Sequence, residues 1–223
     1  MEHSASLARA RLFAGIREEE IAPMLHCLQA VERRFPRGGY IFHAGEEIHS
    51  LALLVSGAAH IQKEDFWGNR SLLSPLSAGD IFAEAYAMAG AGPMRNDVVA
   101  VEDCVVLLMD VERVLSRCPN SCLFHARLTE NLFALLAEKN RGLAQKVDCL
   151  AQRTTRQKLL AYLSEQARRA GRAEFTIPFN RQQLADFLSV ERSAMSAELS
   201  RMQAEGLIET TRSHFILKQR EQS

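Results

Sequence analysis

The 223-residue sequence lacks any stretch near the ~18 apolar residues of a membrane-spanning helix; its best run, CVVLLM at 104–109, has the length of a buried strand. The opening MEHSASLARARLF has no apolar core of the kind a signal peptide needs, so the expectation is a cytoplasmic protein with no membrane partner. There is no disulfide framework: the five cysteines (Cys27, Cys104, Cys118, Cys122, Cys149) are odd in number and irregular in spacing, which fits reduced thiols. Long repeats and low-complexity tracts are missing. So are a Walker-type loop, a dinucleotide glycine fingerprint and a Ser/His/Asp set, so no enzymatic activity is expected.

Net charge is also missing, with 27 Lys/Arg against 27 Asp/Glu, but it is unevenly spread. Residues 1–150 hold 15 basic and 19 acidic side chains, and residues 151–223 hold 12 and 8. The back of the chain, at +4, is compatible with a polyanionic partner. An apolar fraction of 47% and a charged fraction of 24% are those of an ordinary globular protein.

After a helix-like opening from Leu12 to Leu28, short apolar runs alternate with glycine turns: RGGYIF, HAGEE, LALLVSGAAHIQ, FWGNRSLLSPL, SAGDIF and VVAVEDCVVLLM. That spacing predicts a sandwich or barrel of antiparallel hairpins, with EDFWGNR a hairpin tip turning on Gly68-Asn69. From Pro119 to Gln166 the pattern is helical, with Gly142 the one interruption. Phe133, Leu136, Asn140, Leu143, Val147 and Leu150 follow alternating three- and four-residue steps. They form a coiled-coil seam with Asn140 at an a position, which favours a parallel homodimer. A helix packed on its own barrel would give the same spacing.

The seam ends around Ala151–Thr155. RQKLLAYLSEQARRAG then reads as a helix stopped by Gly171, EFTIPF as a short strand, and LIETTRSHFILK as a hairpin turning at Arg212–His214. Between the last two lie two helices in NRQQLADFLSVERSAMSAELSRMQAEGLIE. Asn180 can cap the first helix with Gln183 as reciprocal partner. Leu184, Phe187 and Leu188 bury it, Ala185 allows a close crossing, and Val190 plugs the turn. Met195, Leu199 and Met202 bury the second helix and leave Arg192, Ser193, Ser196, Ala197 and Ser200 on one outward face. Such a slim face can lie against base edges in a major groove. Arg192 is its one long donor, suited to guanine, and Ala197 could touch a thymine methyl. Arg181, Gln182, Arg212 and His214 are placed for phosphate. Taken one at a time, each serine is better explained by simple solvation; the whole arrangement is not, because apolar spacing, turn and following hairpin agree.

The stretch NRQQLADFLSVERSAMSAELSRMQAEGLI resembles, without gaps, the helix-turn-helix of the cyclic-AMP receptor protein / fumarate–nitrate regulator (Crp/Fnr) family of bacterial transcription factors, and the resemblance covers nearly the whole chain. It implies an α+β protein: a cyclic-nucleotide-binding-type β-roll (a jelly roll) over 1–118, a dimerisation helix over 119–150 and a winged helix-turn-helix over 151–223. It also implies a homodimer on palindromic promoter DNA and contact with RNA polymerase. The chain departs from the family at several positions. Ser193 and Ala197 replace a common glutamate and arginine on the reading face, and Ser189 replaces a common turn glycine. Glu198 stands where an apolar residue is usual, with Arg192, Arg201 or a cytosine amine as its partner.

The family's phosphate-binding cassette corresponds to GDIFAEAYAMAGAGPMRNDVVA. Within the pocket Phe82, Ala83, Glu84, Arg95 and Asn96, Glu84 and Arg95 keep the family's residues. Ala83 replaces a glycine, Asn96 replaces a serine, and the spacing is one residue longer. The adenine-reading Thr-Ser pair is replaced by Leu143-Ala144. Cyclic AMP is therefore not expected, and the effector is left unidentified. Glu84 and Arg95 are either an internal ion pair or a ligand site; a small anion would suit Arg95. The N-terminal cysteine group of the family's iron–sulfur oxygen sensors is missing, since Cys27 stands alone. Cys118, Cys122 and His125 leave a metal or thiol oxidation open, with plain packing favoured. Haem also stays open, because one histidine ligand leaves no motif. The rival of another class is a cupin-type β-barrel enzyme, for which His43 and His49 are wrongly spaced.

Overall fold

In the computed structural model, residues 4–64, 66–67, 70–89, 92–116 and 123–218 are described. By contacts the chain falls into two units, Met1–Leu136 and Ala137–Ser223, with the division inside a long helix.

The first unit is built on two four-stranded antiparallel sheets. One has the order β1-β8-β3-β6, with β1 Val31–Phe35, β8 Cys104–Asp110, β3 Ser50–Ser56 and β6 Ile81–Phe82. The other has the order β2-β7-β4-β5, with β2 Tyr40–Phe42, β7 Asp97–Ala100, β4 Ala58–Glu64 and β5 Arg70–Ser77. Strand β3 explains why LALLV is continuously apolar. Leu51, Leu53 and Val55 face a core shared with helices, and Ala52 and Leu54 face the core between the sheets. Both faces are covered, so no polar alternation is left. Leu51, Leu53 and Leu54 are each 0% exposed, and burial of each contributes roughly 1.5–3 kcal/mol. Gly57 turns β3 into β4 at φ +86; a Cβ there would lie 2.4 Å from the Asp103 carbonyl oxygen, so no other residue fits.

The helical layer comes from α1 (Ser4–Arg9), a 3₁₀ turn at Arg11–Phe13, α2 (Glu18–Cys27) and the start of the long helix α5 (Leu123–Ala151). Leu12, Phe13, Met24 and Leu25 pack there with Leu128, Leu132 and Leu135 of α5. The helix expected from Leu12 to Leu28 is thus the 3₁₀ turn and α2, separated at Gly15 with φ +74, and α1 precedes it. Strand β1 was not visible in the sequence. VERRF lies at a sheet edge, pairing through its backbone with β8 while Arg33 and Arg34 face water and Glu32 is half-buried. Two further short helices are α3 (Glu84–Ala89) and α4 (Val111–Leu115). The Gly68-Asn69 turn lies outside the described residues. Antiparallel pairing of Glu64 with Arg70 closes the hairpin around it, and Phe66 and Trp67 stand exposed beside it.

In the second unit α6 (Thr155–Ala170) is capped by Thr154, whose hydroxyl accepts from the Gln157 N–H, and it ends at Gly171 in the left-handed conformation, as the sequence predicts. Strand β9 (Glu174–Thr176) joins β10 (Ile208–Thr211) and β11 (His214–Leu217) in a sheet ordered β10-β11-β9. Helices α7 (Arg181–Leu188) and α8 (Arg192–Ala204) complete it. Tyr162, Leu184, Ala185, Met195, Leu199, Met202 and Phe215 form its core. This helix, strand, helix, helix, hairpin order is a winged helix-turn-helix.

Candidate nucleic-acid interface and sensor pocket

Helix α7 starts with a full capping box. The Asn180 side chain accepts from the Gln183 N–H at 2.9 Å, and Gln183 Oε1 accepts from the Asn180 N–H at 2.9 Å. It ends on Ser189 at φ +49, a left-handed backbone forced on a non-glycine residue by the tight turn into α8. Val190 is half-buried in that turn and Phe187 half-buried beneath Lys146, whose Nζ lies 5.5 Å from the ring centroid.

On α8 the inward residues Met195, Leu199 and Met202 are buried, while Arg192, Ser193, Ser196, Ala197 and Ser200 are all exposed. Glu198 is buried, and its partners are Arg201 on its own helix at 2.8 Å and Arg156 of α6 at 3.4 Å. Of the three partners open to it in the sequence, Arg201 is the one it takes. Arg156, which sequence spacing did not suggest, also grips Glu205 at the C-cap of α8. Four charged side chains therefore fasten the base of α8 to the start of α6.

The Arg181 guanidinium is drawn toward the wing. It donates to Thr210 Oγ1 at 2.9 Å and lies 5.2 Å from the Phe215 ring centroid. Its Nη1 is buried with no hydrogen-bond partner among the described residues, and burial lowers its pKa. Gln182 is exposed and donates to Asp186 at 2.9 Å. Arg212 is exposed at the wing turn with φ +52, and His214 lies 3.1 Å from Glu174 of β9. Arg181, Gln182, Arg192 and Arg212 come together with Asn180 around a groove of about 640 Å³. Three cationic groups on one groove suit a phosphate backbone. The sequence reading passed over Glu191, the exposed N-cap of α8. Its Oε2 accepts from the Ala194 N–H at 2.8 Å and from the Ser193 hydroxyl. Hydrogen bonds from the Ser193 hydroxyl first, then from the Ser193 and Ala194 N–H groups, hold its carboxyl below the usual range. Glutamate is not among the preferred caps, so the usual cap signal does not single it out.

In the first unit Phe82 is buried and packs edge-on against Phe42. Ala83 follows at φ +63, so an alanine occupies a backbone conformation that glycine adopts freely. Glu84 opens α3 and is buried, 9% exposed. Arg95 is exposed and Asn96 half-buried, and no partner for the Arg95 side chain occurs among the described residues. What holds Arg95 in place is Met94. Its side chain is 3% exposed, its N–H donates to the Glu46 carbonyl at 2.8 Å, and its carbonyl accepts from Gly45 at 2.7 Å. Arg95 thus stands as an exposed cationic head on an anchored loop. The Ala83 methyl reduces room for close approach.

On α5, Phe133 (60% exposed), Leu143 (63%), Val147 (63%) and Leu150 (37%) face solvent with Asn140, and Leu136 is half-buried. The inward side is Leu128, Leu132 and Leu135. Leu143-Ala144 are likewise exposed. Cys118 and Cys122 lie outside the described residues. His125 is buried, and its Nδ1 has no hydrogen-bond partner among the described residues. No group of metal-ligating residues occurs among the described residues. His43 stacks on Tyr40 with ring centroids 4.2 Å apart. No helix among the described residues is long and apolar enough to cross a membrane.

The sequence matches two family models, the "Cyclic nucleotide-binding domain" over residues 32–120 and the "Crp-like helix-turn-helix domain" over residues 157–222. It is 27% identical over 197 residues to the cyclic AMP receptor protein of Thermus thermophilus, covering 88% of this chain and 87% of that one. It is 26% identical over 211 residues to the probable transcriptional regulator flp of Lacticaseibacillus casei, covering 94% and 91%. The crystal structure of the Thermus thermophilus catabolite activator protein superposes with a TM-score of 0.53 at 26% identity, covering 94% of each chain. The chain belongs to the Crp/Fnr family of DNA-binding transcription regulators, with a cyclic-nucleotide-binding-type sensor domain, and not to a family of enzymes.

Proposed function

We propose that the protein acts in the cytoplasm as a homodimer that binds promoter DNA through α8 and the wing, contacts RNA polymerase, and responds at the β-roll to an effector other than cyclic AMP. The observation that carries DNA reading is the outward face of α8, slim and polar around a single long donor, Arg192. Dimerisation is supported by the apolar stripe of α5, left in water in a single chain. Pairing two such stripes removes it from water and lets two Asn140 amides bond each other. Two recognition helices then need to sit ~34 Å apart to engage successive major grooves. The relatives named for cyclic AMP motivate that ligand. Against it stand the methyl of Ala83, Asn96 in place of a serine, and Leu143-Ala144 where an adenine-reading edge would be.

Selection of random duplexes on the purified protein, followed by sequencing, tests the DNA reading, and sedimentation tests the assembly. The expected result is an inverted repeat bound by a dimer. A monomer indifferent to every duplex at low salt would overturn the proposal.

A further inference from the structure

Beside Arg192, the start of α8 carries a second chemical element. The Ser193 hydroxyl donates its single proton to Glu191 Oε2. A serine normally both donates and accepts; with its proton committed, its lone pairs can only accept. Glu191 is acceptor-only as well. The bonds from the Ser193 hydroxyl and the Ala194 N–H end on Oε2, and the carboxylate is exposed, with lone pairs left to accept from an outside donor. Both residues are exposed and flank Arg192, at the helix end that approaches base edges. The pattern along this end is acceptor, donor, acceptor.

We propose that Glu191, with Ser193 oriented by it, is a specificity-determining pair that selects a cytosine next to the base read by Arg192. The choice of base follows from the groove edges. In the major groove cytosine presents an amino donor and no acceptor of its own. Adenine presents its amino group beside N7, which repels a carboxylate, and guanine and thymine offer acceptors. A carboxylate at this place therefore discriminates more by repulsion from wrong edges than by attraction to the right one. It also opposes phosphate, so general affinity for DNA falls while selectivity rises.

This inference rests on the DNA-reading function proposed above, and one experiment separates the two. Wild type, Glu191→Ser and Glu191→Thr are each used to select random duplexes, with thermal melting as the folding check. Serine and threonine keep a capping oxygen, so α8 stays capped. The wild type is expected to enrich cytosine at one position of each half-site at least about fivefold. Both variants are expected to lose that preference while keeping the guanine that depends on Arg192. If wild type selects no sequence, the DNA reading itself fails. If the variants select the same cytosine, or gain affinity equally on every sequence with base preferences unchanged, Glu191 acts on the backbone alone and this inference is overturned.

Discussion

Ala83 sits at φ +63, in a region that costs an alanine about 1–2 kcal/mol relative to the right-handed one. Ala83→Gly removes that strain but adds freedom to the unfolded chain, so the expected net gain is about 0.5–1 kcal/mol, read as a higher melting temperature of the β-roll. Arg192 and Arg181 separate in the same way. Arg192 is fully outward, and Arg192→Ala is expected to cost about 1–3 kcal/mol of discrimination at one base position. Arg181→Ala is expected to weaken binding on all sequences and lower the salt slope by about one. It should also lower the melting temperature, because its side chain holds Thr210 and covers Phe215; titration at several salt concentrations and a thermal melt read both effects. At this scale the cap of α7 and the stop of α6 were legible, because capping is local: Asn180, Gln183 and Gly171 act on neighbours three or four residues away. The inward turn of Glu198 was not, since its partner Arg156 is 42 residues distant.

Among the elements, α8 is held by more than its apolar side. Its three buried apolar anchors are joined by the Glu198 carboxylate between Arg156 and Arg201. Glu198→Ala leaves these arginines without their shared partner. Both are partly exposed, so water recovers part of the loss, and the expected cost is about 1–2 kcal/mol rather than the 3–5 of a fully buried pair. Chemical denaturation checks it. On α5 the test is oligomeric: Leu143→Asp with Val147→Asp is expected to convert the dimer to monomer in sedimentation while the helical signal persists, since both side chains are exposed in the single chain. The periodicity of α5 was readable because it is long. The edge strand β1 was not, because an edge strand is held by its backbone and shows no apolar alternation.

For the whole molecule, the expected response is DNA binding that changes with an effector and is indifferent to cyclic AMP. Calorimetric titration is expected to give no saturable heat with cyclic AMP up to about 1 mM, the concentration regime of negligible affinity. The winged helix and the apolar sheet-forming runs were set by local pattern: periodicity, caps, turns and strand length act within a few residues, so the sequence alone determined them. Tertiary structure alone decided that LALLV is buried on both faces, that Glu198 turns inward to Arg156, that Arg181 folds onto the wing, and that Ala83 takes a glycine's backbone. Each of these depends on a neighbour far along the chain or on a backbone angle imposed from outside the residue. Neither leaves a mark in the residues beside it.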